Sequence, residues 1–102
     1  VHTPGNLYVG ENQNITRWYP ARPITVSKVI ARVITPGTEP VVVNIKKNGV
    51  TLFSMTVTGT ASTEDTTGFS TVLDDYVTVV IENNGLYAND LYVSFLYVPT
   101  GD

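Results

Sequence analysis

The sequence has no cysteine, and only one histidine, among 102 residues. Without cysteine there is no disulfide framework, no thiolate zinc site and no cysteine nucleophile. Positive charge is also scarce. Six Lys and Arg against nine Asp and Glu leave a net charge of −3, and the only adjacent basic pair is Lys46-Lys47. Nucleic-acid binding relies on clustered Lys and Arg to neutralise phosphates, so no nucleic-acid partner is expected. Long apolar runs are missing as well: each is a few residues, against roughly 20 for a spanning helix. The opening "VHTPGNLYVG" lacks a charged stretch followed by an apolar one, so a soluble chain with no membrane insertion is expected. Apolar residues do not recur at a helical period over any useful length.

What is present is β-branched and aromatic residues in short runs, punctuated by Gly, Pro, Asn and Asp. That texture predicts an all-β protein, and the length fits one domain. In "ITVSKVIARVIT", residues 24–35, Ile24 and Val26 share one alternation phase while Val29, Ala31 and Val33 share the other. The slip at Ser27-Lys28 predicts a bulge. Lys28, Ile30, Arg32 and Ile34 then point away from the core, and two isoleucines on an outer face predict a partner surface.

"PVVVNIKKNGVTLFSMTVTG" reads as a β-hairpin. Val41, Val43 and Ile45 alternate before Asn48-Gly49, Phe53, Met55 and Val57 alternate after it, and Asn-Gly accepts the positive φ angles of a type I′ turn. Residues 60–68, "TASTEDTTG", hold no apolar residue larger than alanine and are expected to be an exposed loop. "YVTVVIENNG" buries Val77, Val79 and Ile81, then turns at Asn83-Asn84-Gly85. "DLYVSFLYV" sets Leu91, Val93, Phe95 and Tyr97 on one face, with Tyr92, Leu96 and Val98 on the other. Short loops imply antiparallel pairing. The expected fold is an antiparallel, jelly-roll-like β-sandwich of about seven or eight strands over residues 14–98, with an N-terminal junction or arm at 1–13 and a tail at 99–102. The apolar second face of the last strand predicts self-association, with Ile30, Ile34, Tyr92 and Leu96 as the subunit interface.

Catalytic chemistry is thin. His2 has no serine or carboxylate beside it and lies near the chain end, a poor setting for a triad. Glu64-Asp65 and Asp74-Asp75 are adjacent carboxylates beside turn-like residues, not a pair spaced across a cleft. The oxygen-rich positions Asp65, Asp74, Asp75, Asn89 and Asp90 suit Ca²⁺ chemically but follow no calcium-loop spacing. No enzyme activity, cofactor or metal is expected. Asn14-Ile15-Thr16 fits the N-glycosylation pattern, which carries no meaning in a bacterial setting.

"RWYPARP", residues 17–23, admits two readings. Arg17, Trp18, Tyr19 and Arg22 have the residue types of a sugar platform, with rings to stack and guanidinium groups to donate. Pro20 and Pro23 restrict the backbone and favour a corner that tucks Trp18 over an open sandwich edge. The corner is the favoured reading. The exposed stretches, with Thr63, Glu64, Asp65, Tyr87 and Asn89, are the expected ligand-binding loops.

In order and spacing, "TRWYP", "ITVSKVIARV", "VVVNIKKNGVTLFS" and a pairing of "DDYVTVVIENNG" with "NDLYVSFLYV" resemble a β-sandwich module of tailed-bacteriophage virion proteins. The module is found at tail-fibre and head-fibre tips and in capsid decoration, and the resemblance spans residues 14–98. One departure is "LDDYVTVV", where the pattern would place Gly before an acidic residue. The trimeric jelly-roll heads of complement-like proteins share the strand texture but are longer and more aromatic. The resemblance implies a noncatalytic virion-surface module, made in the bacterial cytoplasm and often trimeric. Its implied partners are itself, other virion proteins and a host surface glycan or protein. A fibre-tip adhesion role is the first expectation, and a structural decoration or fibre-assembly role the alternative.

Overall fold

A computed structural model describes residues 2–7, 10–11, 18–86 and 88–100. The described chain is all-β, with two antiparallel sheets packed together. Its strands are β1 (His2–Asn6), β2 (Gly10–Glu11), β3 (Ile24–Thr35), β4 (Val41–Lys47), β5 (Val50–Val57), β6 (Thr63–Asp65), β7 (Phe69–Thr71), β8 (Val77–Asn84) and β9 (Asn89–Pro99). One sheet runs β1-β9-β3-β6, with β7 also on β3; the other runs β2-β8-β4-β5.

The phase slip in β3 is a bulge. Val26 faces Tyr97 of β9, but Lys28 faces Leu96, so Ser27 is the extra residue. An extra residue moves later side chains to the opposite parity. Ile24 and Val26 before it, and Val29, Ala31 and Val33 after it, all reach the core. The hairpin forms as the Asn-Gly signal predicts: Asn48 and Gly49 have φ of 53° and 82° between paired Lys47 and Val50.

The core is aliphatic and comes from both sheets. Val26, Val29, Val33 and Leu91 of one meet Val43, Ile45, Val57 and Ile81 of the other. Burying a Val or Leu side chain is worth about 1.5–3 kcal/mol, so this layer supplies the main driving force. Gly37 lets two connections meet: a Cβ there would lie 1.9 Å from the Gly85 carbonyl oxygen. The N–H groups of Thr38 and Glu39 donate to the Leu86 and Gly85 carbonyls.

Several expectations are corrected. The stretch 60–68 is not one exposed loop, because Thr63–Asp65 forms β6 and pairs with residues 29–31 of β3. β7 pairs further along the same β3 edge, with residues 24–26, so the nine strands of the described residues occupy eight positions. The segments expected to pair near the C-terminus do not. β8 lies in one sheet and β9 in the other, and Asn83 and Asn84 end β8 while Gly85 and Leu86 take the turn. Within the stretch 1–13, expected as a junction or arm, the described residues join the sheets: β1 pairs with β9, β2 pairs with β8 and Leu7 is buried. His2 therefore has a strand position, opposite Tyr92. At the other terminus, Pro99 is still in β9, and the Thr100 N–H donates to Pro23 O.

Candidate functional site

The outer face of the five-stranded sheet carries the candidate site. After the bulge, β3 turns Lys28, Ile30, Arg32 and Ile34 outward, and register sets Leu96, Ser94 and Tyr92 of β9 opposite the first three. Ile34 is 44% exposed, Tyr92 42% and Leu96 45%. Ile30, Ile34 and Tyr92, predicted from sequence as interface residues, line one shallow groove of about 270 Å³ together with Arg32, Ser62 and Ser94. Leu96 lies one step further along the face, in a second depression with Val98. The charge on this face is sparse and partly offset, since Lys28 Nζ lies 3.6 Å from Glu64 Oε2. Such an exposed pair contributes at most about 1 kcal/mol.

The opposite sheet differs in kind. On its outer face Ser54 donates to Asn44, and Asn44 donates on to Glu82. The two outer faces therefore differ: side chains bond across one, while the other sets Ile30, Ile34, Tyr92 and Leu96 beside Lys28, Arg32 and Ser94.

No protein-family description, curated protein or solved structure matches this chain.

The residues expected to form a ligand loop do not converge. Thr63, Glu64 and Asp65 belong to an edge strand, where Glu64 faces outward beside Lys28 while Asp65 accepts the Thr67 N–H at 2.8 Å. Asn89 sits within the sheet, opposite both Asn6 and Thr35. Strand rise and spacing put it about 16 Å from Thr63. Tyr87 lies outside the described residues, as do Arg17 and the Asn14-Ile15-Thr16 motif.

Residues 18–23 of "RWYPARP" form a corner, at the opposite end of β8 from Gly85 and Leu86. The Trp18 N–H and C=O exchange bonds of 2.9 Å with Val77 of β8, while its ring packs 5.2 Å from Phe95 and 5.5 Å from Tyr97 of β9. Backbone on one sheet and ring on the other, Trp18 closes the gap between them. Tyr97 keeps the core side as predicted but extends past the aliphatic layer, 51% exposed. Pro20 is buried; Tyr19 and Arg22 are exposed.

Tyr19 pairs with Tyr76 at 5.5 Å, a contact that sequence separation conceals. Tyr76 is held in turn by the hairpin. Its N–H donates to Asn48 Oδ1 at 3.0 Å, and Asn48 Nδ2 donates to Asp75 Oδ1 at 2.7 Å. The Asn48 bond, the Val72 N–H on Asp75 Oδ2 and the charge of Lys47 hold the Asp75 carboxyl below the usual carboxylate range, against a smaller opposing desolvation. Asp75 is thus engaged in holding two loops together, and Asp74 stands exposed beside it. Among the described residues, no group of three or more His, Asp or Glu is placed to hold a metal ion.

Proposed function

We propose that this chain is a noncatalytic virion-surface module of the tailed-bacteriophage kind, with a structural role: decoration or fibre assembly through contact between copies. The carrying observation is the apolar outer face of the five-stranded sheet, with Ile30, Ile34, Tyr92 and Leu96 on one side of the molecule. The strand orders also support it. With β6 and β7 taken as one interrupted strand, β1-β9-β3-β6 and β2-β8-β4-β5 follow the two-sheet wiring of a jelly roll, a fold used in viral capsid domains. Three copies packing these faces about an axis would bury the isoleucines, the tyrosine and the leucine away from water.

Sedimentation velocity or light scattering tests this. The chain should run at about three times its 11.1 kDa mass, and Ile34→Lys with Leu96→Lys should return it to a monomer of unchanged circular dichroism. A stable monomer at micromolar concentration overturns the assembly role.

A second reading, host adhesion, is favoured by the exposed Tyr19 beside Tyr76 on a turn clamped by Asn48 and Asp75. The ligand would be a surface glycan or protein that stacks on the tyrosines.

A further inference from the structure

Two asparagines in the sequence precede glycine, Asn48 and Asn84. Such a pair can modify itself, because the following residue has no Cβ to obstruct the approach of its nitrogen. The glycine nitrogen attacks the asparagine Cγ and forms a C–N bond, and the Cγ–Nδ2 bond breaks. Nδ2 leaves as ammonia with the proton of the glycine N–H, and the product is a five-membered succinimide. One water then opens the ring at either carbonyl, which leaves aspartate or isoaspartate at that position. Nothing is oxidised or reduced.

The fold treats the two pairs differently. At the second pair the nucleophile is occupied and enclosed. The Gly85 N–H donates to Asn83 Oδ1 at 2.8 Å, Gly85 is buried, and a Cβ there would lie 2.8 Å from Glu39 O and 2.9 Å from Val41. Asn84 is half-buried, donates to Leu7 O and accepts the Leu86 N–H. At the first pair the nucleophile is open. Asn48 and Gly49 are the exposed tip of the β4–β5 hairpin, and the Gly49 N–H has no acceptor among the described residues. A Cβ on Gly49 would meet Tyr76 Oη at 3.7 Å, with nothing described lying closer. The restraint on this pair is the carboxamide itself, tied across to the next loop. Its Nδ2 donates to Asp75 Oδ1 at 2.7 Å, and its Oδ1 accepts the Tyr76 N–H at 3.0 Å. For Cγ to reach the Gly49 nitrogen, the side chain must turn back onto its own backbone and give up both bonds.

We propose that Asn48 is a self-modification site of the folded protein, and that its bond to Asp75 sets how fast it converts. Conversion changes what the position does. The product has no amide donor and sets a carboxylate against that of Asp75 at hydrogen-bond distance, where like charges repel. Asp-Gly suits the same type I′ turn as Asn-Gly, so the aspartate product keeps the hairpin tip but loses its bond to Asp75. Repulsion then pushes the tip away from the turn that carries Tyr76 and, through it, Tyr19. The change is spontaneous, and it lies on the sheet that the proposed association does not use.

The test incubates the full chain at mildly alkaline pH and follows aspartate and isoaspartate at each position by peptide mapping and mass spectrometry. Asn48 should convert several-fold faster than Asn84. Asp75→Ala should speed Asn48 roughly tenfold, the factor that one hydrogen bond to a charged group implies. Asp75→Asn, which keeps a neutral acceptor, should fall between the two. Asn84 reports on the fold as a whole and should keep its wild-type rate in both variants. Conversion of Asn84 as fast as Asn48 overturns the proposal. So does an Asn48 rate that both Asp75 variants leave unchanged, or one that rises only in step with Asn84. If Asp75→Ala does not fold, Asp75→Asn decides. The consequence is read from Asn48→Asp, which should melt below wild type at neutral pH, by a margin that narrows toward about pH 4 as the carboxyl pair takes up a proton. A melting temperature equal to wild type at both pH values overturns that consequence.

Discussion

Trp18 illustrates how a single side chain can be chemically suited to recognition yet committed to structure. Its backbone extends the β8 edge, and its ring covers Phe95 and Tyr97 of the other sheet. Trp18→Ala should therefore cost about 2–4 kcal/mol, somewhat below the loss for a fully buried Trp. For a domain of this size that is a drop of roughly 10–25 °C in melting temperature. Tyr19→Ala should leave the melting temperature nearly unchanged, because that side chain is 55% exposed. Thermal melts of both variants, alongside glycan-array binding of the folded proteins, separate corner from platform. Lost binding in Tyr19→Ala at an unchanged melting temperature would favour adhesion.

At the scale of elements, the β4–β5 hairpin and the turn before β8 are fastened by Asn48 and Asp75. A carboxylate whose folded pKa lies below its unfolded value of about 3.9 stabilises the fold above that value and loses its contribution as pH falls through the folded pKa. Hydrogen bonding puts Asp75 in this class. Asp75→Ala should melt below wild type at pH 7, and the gap should close as pH drops from about 5 toward 2. Melting curves across that range check it, and a gap that widens in acid would contradict it. The bulge at Ser27 acts on a longer element. It lets both halves of β3 bury their apolar residues while keeping Ile30 and Ile34 on the outer face. That bulge and the hairpin were both legible in sequence, since phase and turn chemistry are local. Strand β6 was not. "TED" has no strand pattern of its own and is extended because β3 offers it an edge.

For the whole molecule, the contrast between the two outer faces matters most. The association proposed for the outer face of the five-stranded sheet would couple stability to concentration, because a partner that binds only the folded chain shifts the unfolding equilibrium by mass action. The melting temperature should rise with protein concentration over the micromolar range, and this dependence should disappear in Ile34→Lys with Leu96→Lys. Calorimetry at several concentrations reads both.

The sequence by itself determined the fold class, most strand positions, the β3 bulge, the Asn48-Gly49 turn and the outward side of Ile30 and Ile34. All of these follow from alternation and turn chemistry within a dozen residues. Only the tertiary structure decided which sheet each strand joins and what Trp18 and Tyr19 touch. Those depend on pairings between distant segments, such as Val29 with Phe95 and Trp18 with Val77. A backbone group can pair with any neighbouring strand, so local text does not single out its partner. The partner is selected by closure of the whole core. That is why β1, which contains a proline and a glycine, is a strand of the sandwich, and why Asn89, expected in a loop, is part of a sheet.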